Sequence, residues 1–84
     1  MTKEEIISKL SELENAVGMW SFALNSLSAA DYVIGCHYNP DSGMFDVYVN
    51  NERGRHRIRL STADETQALE KVLKIAEFIR ESGG

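Results

Sequence analysis

The sequence predicts an α+β fold: a three-stranded antiparallel sheet with two helices on one face, in the order α-β-β-β-α. Two turn segments and two amphipathic stripes carry that reading. Asn39-Pro40-Asp41-Ser42-Gly43 and Asn51-Glu52-Arg53-Gly54 both end in glycine and separate runs of alternating apolar residues. Outside those runs the apolar residues recur at helical spacing instead.

Composition narrows the class. At 84 residues and 43% hydrophobic content the chain reads as one domain, 1–84, with a single modest core. The lone cysteine, Cys36, has no partner for an intramolecular disulfide, which fits a reducing compartment. No apolar run has signal-peptide or membrane-spanning character, so a cytoplasmic protein with no membrane partner is expected. A net charge of −4 makes nucleic acid a poor default partner. That sum hides segregation, because Arg53, Arg55, Arg57 and Arg59 lie close together while both helices carry an acidic excess.

Helix one is expected from Thr2 to about Leu27. Thr2 and Glu5 have capping-box spacing, and Ile6, Leu10, Leu13, Val17, Trp20, Leu24 and Leu27 follow in alternating steps of four and three. Asn15 and Gly18 are its weak points, and a strand over Met19–Leu24 is the lesser reading of the second half. A helix of about 25 residues is roughly 37 Å long, whereas strands of about seven residues span roughly 23 Å. The overhang predicts a homodimer through helix one, or a kink at Gly18 that folds the helix back on its own sheet.

The strands are expected at Asp31–Asn39, Met44–Asn50 and Arg55–Ser61. Pairing Tyr38 with Phe45 sets Cys36 opposite Val47 and Ile34 opposite Val49. A four-residue second loop pairing Asn50 with Arg55 sets Val49 opposite His56, Val47 opposite Ile58 and Phe45 opposite Leu60. Both registers gather the apolar residues on one face, and a slip at either turn would set arginine opposite valine. Helix two is expected from Thr62 to about Glu81, with Thr62 and Glu65 at capping-box spacing, Gly83 as a cap, and a stripe of Ala68, Leu69, Val72, Leu73, Ile75, Ala76 and Ile79.

The same register puts His37, Asp46, Tyr48, Asn50, Arg55, Arg57 and Arg59 on the open face, where Tyr48 can cover Gly35 and receive Arg57. Alternating arginines on an edge strand keep that edge soluble and unpaired, which is their plainest role. Arginine and tyrosine are also the types enriched where proteins bind proteins, so His37, Asp46, Tyr48, Arg55, Arg57 and Arg59 are the candidate partner-binding residues. Nucleic acid, with arginines on phosphates and Tyr48 as a stacking platform, is the alternative. His37 and Asp46 suggest a cross-strand ion pair rather than a catalytic dyad, because Cys36 points to the other face. His37 and His56 fall on opposite faces in this register, so no metal site and no cofactor are expected.

The element order resembles the double-stranded RNA-binding domain, which grips phosphates with a lysine-rich start to its last helix. Here that start is Thr62-Ala63-Asp64-Glu65, which repels phosphate. A second, local resemblance lies in Phe45-Asp46-Val47-Tyr48-Val49-Asn50-Asn51-Glu52-Arg53-Gly54, followed one strand later by Asp64-Glu65-Thr66-Gln67-Ala68. It resembles a pattern in small bacterial immunity proteins that neutralise polymorphic toxins, with Met44 or Phe45 standing where that pattern has a tryptophan. The resemblance implies a cytosolic, non-catalytic protein that blocks a toxin by contact, and an acidic chain would suit a basic active site.

Overall fold

The computed structural model describes residues 2–14, 17–18, 20–28, 30–51 and 56–82. Its elements are α1 (Lys3–Leu13), β1 (Ser21–Leu24), β2 (Val33–Asn39), β3 (Met44–Asn50), β4 (His56–Thr62) and α2 (Glu65–Glu81). The sheet has four strands in the order β1-β2-β3-β4, with β1 parallel to β2 and the remaining pairs antiparallel. The α+β class therefore stands, while the three-stranded antiparallel sheet becomes a mixed four-stranded one in the order α-β-β-β-β-α.

The extra strand comes out of the expected first helix. Thr2 caps α1 as anticipated, its hydroxyl accepting the Glu5 N–H at 3.3 Å, but the helix ends at Leu13. Past that end, Gly18 takes a positive φ of 66°, a conformation that suits a residue without a Cβ. Beyond it Trp20, Phe22 and Leu24 pack against the core at every second residue, and Phe22 lies opposite Ile34 in β2. The lesser strand reading was thus the correct one over Ser21–Leu24. An α1 of this length is about 16 Å long, so the overhang that motivated a dimer is absent.

A parallel pair needs a return path. Because β1 is only four residues long, the chain has to travel back only about 13 Å. Among the described residues of the Asn25–Tyr32 connection, Ser26, Ser28 and Ala30 meet Tyr48 and Asn50 on the sheet face that the helices leave uncovered. Asn25 and Tyr32 both have positive φ, 61° and 57°. Asparagine tolerates that region, whereas tyrosine is strained there by about 1–3 kcal/mol. The Tyr32 ring sits edge-on to Trp20 at 5.5 Å, which anchors it.

The first hairpin has the expected register, with Tyr38 opposite Phe45, Cys36 opposite Val47 and Ile34 opposite Val49. Gly43, at φ 71°, donates its N–H to the Asn39 carbonyl at 2.8 Å, and the Asn39 side chain accepts from Asp41 N–H at 3.0 Å.

The second hairpin does not have the expected register. Asn50 pairs with His56, Val49 with Arg57 and Tyr48 with Ile58. Beyond a bulge, Val47 pairs with Leu60, Asp46 with Ser61 and Phe45 with Thr62. Arg59 is the extra residue of the bulge. The first half of β4 has therefore slipped by one residue and exchanged its faces. Arginine does stand opposite valine, and Ile58 is 48% exposed. The slip is tolerated because β4 is an edge strand where Arg57 reaches solvent. Most of the second turn, Glu52–Arg55, lies outside the described residues, as does the Gly83 cap.

Helix α2 starts later than expected. Thr62 belongs to β4, and Asp64 is the cap, accepting the Thr66 N–H at 2.9 Å. The stripe itself is as expected, with Ala68, Leu69, Val72, Leu73, Ile75 and Ala76 buried and Ile79 partly so. These residues join Ile6, Leu10 and Leu13 of α1 and Ile34, Cys36, Val47 and Val49 of the sheet in one core. Tyr38, expected in that core, is exposed at the hairpin tip, edge-on to Phe45. No described helix is long and apolar enough to cross a membrane.

Candidate functional site

On the sheet face that the sequence leaves open, Ser26, Ser28 and Ala30 cover Tyr48 and Asn50, while Ile58 opposite Tyr48 stays 48% exposed. Tyr48 is wholly buried beneath them: its hydroxyl donates to the Ser26 carbonyl at 2.8 Å and accepts the Ser28 N–H at 2.9 Å. Burial pushes the phenol pKa above its ordinary range, with the Ser28 N–H opposing the shift. Asn50, 2% exposed, donates to the Ser28 and Ala30 carbonyls at 2.6 and 3.0 Å. Its amide oxygen is thereby turned to His56 Nδ1 at 2.6 Å, so Nδ1 must carry the proton in that contact.

His56 therefore shares a face with His37, contrary to the expected register. The two rings flank Tyr48, His56 stacked at 5.1 Å and His37 edge-on at 5.9 Å. No cluster of three or more metal-ligating side chains exists among the described residues. Asp46, 8% exposed, accepts from the Ser61 hydroxyl at 2.7 Å and the Asn39 amide at 3.2 Å, so neutral donors rather than the expected histidine partner hold its carboxylate. This face is a satisfied polar network that fastens a connection. Among the described residues, no buried side-chain nitrogen or oxygen lacks a hydrogen-bond partner.

The arginines part company with it. Arg55 lies outside the described residues. The slip puts Arg57 opposite Val49, and the bulge turns Arg59 toward the helix side. There Arg59 borders an open groove of about 370 Å3 with Trp20, Lys71, Lys74, Phe78 and Ile79. Val49 and Ile75 complete its apolar lining. The helical contribution follows from spacing, because Lys74, Ile75 and Phe78 lie three, four and seven positions after Lys71 and share one side of α2. Phe78 is 69% exposed, more than any other large apolar side chain described.

The candidate partner residues are thus not one surface. His37, Asp46 and Tyr48 belong to the covered face, while Arg59 belongs to the groove. Sequence reasoning missed Lys71, Lys74 and Phe78. Their signal was a phenylalanine one step outside the buried stripe with two lysines on the same side. The described lining sets an apolar floor beside the positive charges of Arg59, Lys71 and Lys74. Cys36 is fully buried elsewhere, and burial raises its thiol pKa. No protein-family model, curated protein or solved structure matches the chain.

Proposed function

We propose that this is a small, non-catalytic, cytosolic protein-binding domain whose contact surface is the groove between α2 and β4. The observation that carries the reading is Phe78, 69% exposed between Lys74 and Ile79 in a groove bordered by three cations. A monomer loses hydrophobic burial by holding such a side chain out in water, and a partner recovers it. Toxin neutralisation of the immunity-protein kind is the sharper form of this reading. Of the residues that carry that resemblance, Val47, Tyr48, Val49 and Asn50 are buried, so the fold needs them and contact falls to other side chains.

Nucleic acid is less well supported. Tyr48, the stacking platform that reading requires, is buried, and the chain carries a net −4. Co-purification of the tagged chain from the cells that make it tests the proposal. A stoichiometric protein partner should be retained by the wild type and by Ile7→Glu on α1, and lost with Phe78→Glu. Loss with Ile7→Glu and retention with Phe78→Glu would contradict it.

A further inference from the structure

The groove has a charge preference as well as an apolar floor. Arg59 on β4 and Lys71 and Lys74 on α2 bring three positive charges to it, and no acidic side chain is among its described lining residues. None of the three forms an ion pair within the described chain, although acidic residues outnumber basic ones, 13 to 9. The chain does pair charge where it packs its own elements, as in the 2.8 Å Lys3–Glu65 bridge between the starts of the two helices. The described groove lining thus holds three cations and no carboxylate beside an exposed aromatic ring.

Size and shape limit the occupant. A cavity of about 370 Å3 falls at the small end of the range for ligand sites, about 300–1,000 Å3, and this one is partly open to solvent. It accommodates a bulky side chain or two rather than enclosing a whole cofactor. The bulge contributes directly: without the extra residue Arg59, the strand could not return Leu60 to the core opposite Val47 after placing Ile58 outside.

Resting on the reading of the groove as the contact surface, we infer that its occupant is an acidic peptide segment of a partner protein. An aromatic or aliphatic anchor of that segment packs against Trp20 and Phe78, and flanking carboxylates meet Arg59, Lys71 and Lys74. The anchor supplies affinity by leaving water, and the carboxylates supply orientation and rate of encounter.

Trp20 is the sole tryptophan of the chain and lines the groove, so its fluorescence reports occupancy. The probes are a short glutamate-rich peptide with one phenylalanine, the same peptide with serine for phenylalanine, its lysine-rich counterpart, and oligothymidylate. The acidic phenylalanine peptide should give a saturable change in Trp20 emission that weakens with salt. Lys71→Glu with Lys74→Glu should weaken it by about tenfold or more, as should Phe78→Ser, which alters an exposed residue and leaves the fold intact by circular dichroism. Tighter binding of the lysine-rich peptide, released by Phe78→Ser, would overturn the acidic partner while leaving the groove as a protein contact. Tighter binding of oligothymidylate, or no response of Trp20 to any peptide, would overturn both.

Discussion

The ring of Tyr48 lies directly over Gly35, so that a Cβ at position 35 would stand 2.5 Å from the ring's Cζ and Oη. The sequence anticipates this contact, and the structure gives it a purpose. Gly35 lets the phenol sink against the sheet and reach the Ser26–Ser28 backbone, which fastens the return from β1 to β2.

Gly35→Ala should therefore be among the most damaging small substitutions. The new methyl would also come 2.6 Å from the Ala23 carbonyl, so ring and backbone close the space from both sides. Overpacking of this kind costs about 1–3 kcal/mol. Urea denaturation should show a loss of that size, and an unchanged midpoint would contradict the packing described.

Tyr48→Phe keeps the ring and removes the hydroxyl, leaving the Ser28 N–H and Ser26 carbonyl without their partner at a cost of about 1–3 kcal/mol. It should also change the alkaline limb of the stability curve. Burial raises the folded pKa of Tyr48 above its ordinary 10.0, so the unfolded chain ionises first. The stability contributed by the neutral phenol is complete below that ordinary value and is lost as pH rises through the folded one. Denaturation profiles from pH 8 to 12 should be shallower in Tyr48→Phe, with a residual slope that includes Cys36, raised from 9.0 by burial in the same direction. An equally steep decline in the variant would contradict the linkage.

Ile58 separates the two registers of the second hairpin. Facing Val47 in the core, as alternation suggests, it would lose at least about 2 kcal/mol on replacement by threonine. Opposite Tyr48 and 48% exposed, Ile58→Thr should cost less than about 1 kcal/mol by thermal denaturation. A larger loss would restore the bulge-free pairing.

These positions show what was legible in the sequence. Helix α2 was readable because its stripe spans several turns, and the first hairpin because Asn39 and Gly43 fix one register. Trp20, Phe22 and Leu24 were ambiguous: Val17, Trp20, Leu24 and Leu27 fit helical steps, whereas Trp20, Phe22 and Leu24 fit alternation. The helix ends at Leu13, and the pairing of Ser21–Leu24 with β2 settles them as a strand. The bulge at Arg59 left no pattern of its own, since one added residue shifts parity without changing composition. That shift sets Arg57 and Arg59 on the helix side of the sheet, while Ser26, Ser28 and Ala30 cover Tyr48 and Asn50 on the other.

On the proposed reading, Phe78 and its cationic neighbours meet another protein. A photoreactive phenylalanine analogue at position 78, expressed and illuminated in the cells that make the protein, tests it most directly. A discrete protein adduct is expected that disappears with Lys71→Glu and Lys74→Glu and has no counterpart when the analogue is placed at Ser8 on α1. An adduct to nucleic acid, or a protein adduct at Ser8 with none at position 78, would contradict it.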